Sequence, residues 1–178
     1  FFNNSNGDFP MSTLSVDTIQ GKTTAGTVAM PAGMIIQMQT ATTDGDTSYT
    51  SSATSFTDQG LSVNITPKFA TSKIQVIVNC CIGIGQQTNA RIDYRCIENG
   101  SSTEVFRFDY LGYSGLSALS NAGITVAGHG FFQCSNTNQL TFKTQFVKAN
   151  GESAQAGTIH QLWYTSTKHI ITAMEIKQ

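Results

Sequence analysis

From Met34 onward the apolar residues of this chain fall again and again on every second position, in runs of about eight separated by Gly, Asn, Asp and Ser. That alternation is the period of a half-buried β-strand. The pattern predicts strands over Met34 to Ala41, Ser55 to Thr66, Lys73 to Gly83, Ala90 to Glu98, Val105 to Leu111, Gly123 to Cys134, Gln139 to Lys148, Gly157 to Thr165 and His169 to Ile176. Asp58-Gln59-Gly60 interrupts the second of them. The predicted core faces are Ile74, Val76, Val78, Cys80 and Ile82; Ile92, Tyr94 and Cys96; Phe106, Phe108 and Tyr110; Leu140, Phe142, Thr144 and Phe146; and Ile170, Thr172, Met174 and Ile176. Gln75, Asn79, Asp93, Arg95, Arg107, Asp109, Lys143, Gln145 and Glu175 are predicted to face water.

Asn99-Gly100 and Asn150-Gly151 sit between such runs as hairpin signals. No segment of ten residues carries a helical period. Eight or nine antiparallel strands in this length fit an all-β domain, an antiparallel two-sheet sandwich of jelly-roll type, with an eight-stranded barrel as the alternative. Several apolar residues fall off the predicted core faces. Phe131-Phe132 and Trp163-Tyr164 place an aromatic on both sides of a strand, and Ile77, Ile97, Val147, Leu162 and Ile171 join them. A sandwich has one inner face per strand, so the second set calls for another cover, and oligomer contact supplies one.

Residues Phe1 to Gly33 differ. They are Asn-, Gly- and Thr-rich, with weak alternation at Leu14 and Val16 and one further apolar position at Ile19. Such a stretch buries too little by itself to offset its ordering entropy, and is either disordered or ordered by packing against a partner chain. The expected organisation is an extended N-terminal arm, 1–33, and a sandwich domain, 34–178.

Composition narrows the function. The 178 residues carry ten Lys and Arg against eleven Asp and Glu, only 12% charged, while Thr and Ser number 24 and 17. With no basic cluster, the counterion-release term behind nucleic-acid affinity is missing, so no nucleic-acid partner is expected. No run reaches the roughly 20 apolar residues of a membrane span, and none is expected to insert. Cys80, Cys81, Cys96 and Cys134 follow no ligand or framework spacing and read first as free thiols, with one disulfide or a metal site as weaker alternatives. His129, His160 and His169 lack metal-ligand spacing and read as surface or interface imidazoles. Gly83-Ile84-Gly85 and Gly128-His129-Gly130 do not continue into a phosphate loop and read as bulges or bends at strand ends. Asp44-Gly45-Asp46 reads as a turn. No catalytic set, metal or cofactor is expected.

The segment MSTLSVDTIQGKTTAGTVAMPAG, Met11 to Gly33, resembles the opening of virion fibre proteins of marine bacteriophages, cyanophages and related phages. The resemblance extends through Thr54-Ser55-Phe56, the run Gly60-Leu61-Ser62-Val63-Asn64-Ile65-Thr66-Pro67-Lys68, Thr71-Ser72-Lys73-Ile74, and the close at Ile171 to Ile176. Residues 85 to 165 match no motif. Met11 also looks like a natural start, which would make Phe1 to Pro10 an upstream extension. The resemblance implies a non-enzymatic, trimeric fibre or spike, tail or head, assembled in the host cytoplasm and located on the virion. It implies that the arm, with Leu14, Val16 and Ile19, docks to other virion proteins and to sister chains, while the β domain meets a host-surface glycan or protein.

A capsid-decorating protein without a receptor role and a carbohydrate-binding module, with Trp163, Tyr110 and Tyr113 as stacking rings, are the alternatives. For host contact the best candidate is Leu111 to Asn121, where the alternation lapses for eleven residues. There Tyr113 offers a ring and a hydroxyl, and Ser114 and Asn121 offer neutral donors and acceptors. The competing reading makes Leu116 and Leu119 one helical turn capping the sandwich.

Overall fold

The computed structural model describes residues 31–44, 48–50, 55–84, 89–114, 122–148, 158–160 and 168–178. They contain ten strands and no helix: β1 Ile35–Asp44, β2 Ser48–Thr50, β3 Thr57–Ile65, β4 Lys73–Ile84, β5 Asn89–Glu98, β6 Glu104–Ser114, β7 Ala122–Gln133, β8 Leu140–Lys148, β9 Thr158–His160 and β10 Lys168–Ile176. The compact unit that holds them is Pro31–Gln178. The arm residues Leu14, Val16 and Ile19 lie outside the described residues.

Every pairing is antiparallel, and the strands form two sheets packed as a β-sandwich. In the first, β10 lies between β1 and β4, and β7 pairs along the whole of β4 from Lys73 to Ile84. β10 leaves β4 at Asn79, and the short β9 takes up Gly83 and Ile84 and carries β2. The second sheet runs β3-β8-β5-β6. Eight of the nine predicted strands match an observed strand to within about three residues at each end, the margin usual for element boundaries. Of the ninth, only Thr158–His160 fall among the described residues, where they form β9, and β2 carried too few residues to show a period.

The core is built from one parity of each strand. Ile74, Val76, Val78, Cys80 and Ile82 of β4 face Ile92, Tyr94 and Cys96 of β5, Phe142 and Phe146 of β8, and Leu61, Val63 and Ile65 of β3. At its centre the Tyr94 hydroxyl donates to Gln59 Oε1 at 2.9 Å, the Thr144 hydroxyl donates to the same oxygen at 2.8 Å, and Cys80 Sγ lies 3.3 Å from the Tyr94 oxygen. Buried polar atoms persist in a core when they satisfy one another, and this set links three strands of one sheet to β4 of the other. Gln59 reaches the centre because β3 bulges between Asp58 and Ser62, with Gly60 at φ 89°. The interruption at Asp58-Gln59-Gly60 is therefore a bulge inside one strand.

Several expectations need correction. The predicted core face of the last strand is inverted: His169, Ile171, Ala173 and Glu175 are buried, and Ile170, Thr172, Met174 and Ile176 face outward. Residues opposite each other in an antiparallel pair share a face, and Ile171 stands opposite Val78, a core residue of β4. Of the apolar residues expected off the core, Ile171 is thus core, and Ile97 and Val147 are buried as well.

Gly128-His129-Gly130 is no bend but the middle of β7. Its glycines let β6 come close, and Val105 O would stand 2.1 Å from a Cβ on Gly130. Leu111 to Ser114 belong to β6 and pair with Asn89 to Ile92, so the lapse in alternation there is Gly112 inside a strand. The Asn99-Gly100 hairpin exists, but its connection is the five residues 99–103, with Ser102 rather than Gly100 at positive φ, 56°. Asn150-Gly151 lies outside the described residues.

Candidate interface

The two outer faces of the sandwich have opposite character. Outside the second sheet, ionised side chains are interlocked. Arg95 donates to Gln145 Oε1 at 3.0 Å and to Glu104 at 3.1 Å, and Arg107 donates to Asp93 at 3.0 Å and also to Asp109. Lys143 donates to Asp58 at 2.8 Å, and Gln145 Nε2 donates to the other oxygen of that carboxylate. Burial pushes the Asp58 carboxyl up, but these two donors outweigh it and hold it below the usual range. The Arg95 guanidinium lies 3.8 Å over the Phe56 ring. The centre of this face is itself buried, at Asp93, Ile97, Gln145 and Val147, and Asp93 and Gln145, expected to face water, are held there by these partners.

Outside the first sheet the register assembles three rows of four residues across β1, β10, β4 and β7. They are Met38, Met174, Gln75 and Phe131; Thr40, Thr172, Ile77 and His129; and Thr42, Ile170, Asn79 and Ala127. None of the twelve is Asp, Glu, Lys or Arg. Met38 is 60% exposed, Phe131 55%, Ile77 38% and Ile170 37%. The sequence pointed to Ile77 and Phe131 as surplus apolar positions. Met38, Ile170 and Met174 were missed, the last two because β10 is apolar on both parities.

Two buried carboxylates organise the end of the sandwich at which the chain enters. Gly33 N donates to Lys177 O at 2.8 Å and Lys177 N donates to Met34 O at 3.0 Å, tying the first strand to the last. Beside them, Glu175 accepts the backbone N–H of Lys68 at 2.8 Å, that of Phe69 at 3.1 Å and the Gln37 side-chain amide. Burial pushes the Glu175 carboxyl up, but these hydrogen bonds hold it below its ordinary value. Glu98 does the same for the β5–β6 connection, accepting Gly100 N at 2.9 Å, Ser101 N at 2.6 Å and the Ser101 hydroxyl at 2.7 Å, and its pKa is lowered against burial in the same way. A cavity of about 270 Å³ opens between this connection and the β7–β8 connection, lined by Glu98, Ser101, Phe132, Asn136 and Leu140 among others.

The candidate contact residues do not come together as one described site. Tyr113 and Ser114 sit on β6 opposite Ala90 and Asn89. Asn121 lies outside the described residues, as do Leu116, Leu119 and Trp163. His129 is exposed on the uncharged face, whereas His169 is buried and accepts Cys81 N at Nδ1 at 3.1 Å. Among the described residues no three of His, Cys, Asp and Glu converge on a point that would hold a metal, and no helix is long and apolar enough to cross a membrane.

Cys80, Cys96 and Cys134 are buried free thiols, and burial pushes them up to about 11, about 12 and about 11. The thiolate is the reactive species, so at neutral pH these three are inert. Ellman's reagent should therefore titrate at most one fast thiol, Cys81, in the native chain and all four in guanidinium. Two or more fast thiols in the native state would contradict this packing.

No family model and no curated protein matches the sequence. Among solved structures the chain is similar to dimeric latent PorU from Porphyromonas gingivalis, with 12% identity and a TM-score of 0.40, over 84% of this chain and 14% of that one. The chain thus spans about a seventh of that protein's length, and a likeness of this size carries no argument about function.

Proposed function

We propose that the chain is a non-enzymatic structural protein of a phage virion, a trimeric fibre or spike whose sandwich is held out toward the host surface. The observation that carries this reading is the axial layout of the domain. The start of β1 and the end of β10 are hydrogen-bonded together at one end, and the strand ends that lead into residues 85–88, 115–121 and 149–157 lie at the other. A domain tethered at one end and presenting connections at the opposite end is the layout a display tip needs. The order β1-β10-β4-β7 over β3-β8-β5-β6 supports reading the sandwich as a jelly roll, a fold frequent among capsid and lectin domains. The resemblance of Met11 to Gly33 to phage fibre proteins supports the arm as the virion-docking segment.

On this reading Tyr113 and Ser114, near the end of β6, stand at the host-facing end. The test is particle assembly with a chain lacking residues 1–30. Its sandwich should fold, with the strand-type circular dichroism of the full chain, yet be missing from purified particles. Particles that still incorporate the shortened chain would overturn the docking role. Particles that lack the chain entirely and adsorb to host cells undiminished would overturn the attachment role.

A further inference from the structure

We infer that the uncharged outer face of the first sheet, centred on Ile77 and Ile170 and flanked by Met38 and Phe131, is the surface by which copies of this chain associate, the three faces of a trimer turned toward a common axis. The inference rests on the reading of the chain as an assembling structural protein and adds which surface does the assembling and what covers it.

Three observations select a second copy as the occupant. First, the twelve residues in register across β1, β10, β4 and β7 carry no acid and no Lys or Arg, while the opposite face of the same sandwich is crowded with ion pairs. A partner recognised by charge would find nothing to pair with on the first face, whereas an identical face meets it without like-charge repulsion. Second, the composition is that of an interface centre. Methionine, phenylalanine and isoleucine lie among Thr, Gln and Asn side chains, and Lys73, Lys168 and Lys177 are confined to the ends of the strands. Third, the size fits a contact site. Four strands about 4.8 Å apart and three rows about 6.8 Å apart give the uncharged face a plan area of about 400 Å², within the roughly 300–600 Å² of the largest patches on a protein surface, which are often functional.

Light scattering on the full chain and on two variants tests this. The full chain at micromolar concentration should have three times the 19.1 kDa chain mass. Ile77→Lys with Ile170→Lys, and separately Phe131→Lys, should bring the mass down threefold with circular dichroism unchanged, because all three side chains point away from the core. Ser62→Lys, exposed on β3 of the other sheet, should remain assembled. An assembled full chain whose mass survives both face variants would overturn the face assignment and leave the trimeric reading standing. A full chain that is monomeric would overturn both. A monomer that pellets with neutral phosphatidylcholine vesicles, and ceases to with Phe131→Lys, would overturn the inference by assigning the face to lipid.

Discussion

Alanine at Gly130 should cost the fold at least about 3 kcal/mol, the upper end of what overpacking usually costs, because nothing near it can yield cheaply. A Cβ built there stands 2.1 Å from the carbonyl oxygen of Val105 and 2.9 Å from Cγ1 of the same residue. The obstructing atom is backbone, part of the strand by which the second sheet folds over the edge of the first, so relief requires β6 and β7 to move apart. That movement would open the contact of Phe106 and Phe108 with the core. For a chain of this length each kcal/mol lowers the midpoint by roughly 2–4 °C, so a drop of about 6–12 °C or more is expected in a thermal melt. Gly100→Ala is the control. The nearest atoms a Cβ there would meet belong to the Glu98 side chain, its oxygens at 3.3 Å and 3.4 Å, and the loss should stay under about 1 kcal/mol. Equal melting points for the two variants would contradict the close approach of β6 to β7.

Replacement of Glu175 by alanine should be nearly as damaging, about 3 kcal/mol, since hydrogen bonds to a charged group contribute roughly 1.5–3 kcal/mol and the buried carboxylate makes three of them. The carboxylate receives Lys68 N, Phe69 N and the Gln37 amide, and so fastens the β3–β4 connection and the first strand to the last. Glu175→Gln should lose about 2 kcal/mol, because the amide presents an N–H to groups that are themselves donors.

The pH dependence has a definite sign. The folded pKa of Glu175 is depressed below the unfolded value, so its contribution is fully present above that value, about 4.3, and is lost as pH falls through the lower folded value. Glu98 acts in the same direction. The wild-type chain should lose stability as pH drops below about 4.3, and Glu175→Gln should lose measurably less over the same interval. Denaturant midpoints at neutral pH and at pH 3 check both statements, and a variant with an unchanged acid limb would show that Glu175 is not held in its ionised form.

The division between what was legible along the chain and what was not follows from the range of the forces. Alternation is a property of neighbours two apart, and it located eight strands and, through β4, β5 and β8, most of the core before any pairing was known. The surplus apolar positions at Ile77 and Phe131 were likewise placed outside the core, where the structure has them. The parity of β10 was beyond such a reading. His169-Ile170-Ile171-Thr172-Ala173-Met174-Glu175-Ile176 offers apolar residues on both sides, and the more apolar side is the one left outside. What turns Ile171 and Ala173 inward is register with Val78 and Val76, nearly a hundred residues earlier, together with the Lys68 and Phe69 amides that donate to Glu175.

The same limit hid the roles of Gly128 and Gly130, since a missing side chain in a sequence does not tell a bend from a place where another strand must pass. It also hid the end of β6, where Gly112 removes a side chain from the pattern but leaves the backbone ladder to β5 whole. Local periodicity, a matter of each residue and its near neighbours, thus determined that the chain is all-β and where most strands lie. Long-range strand pairing, which balances the burial of whole faces against the hydrogen bonds of distant segments, decided which face of the first sheet is left uncharged and exposed.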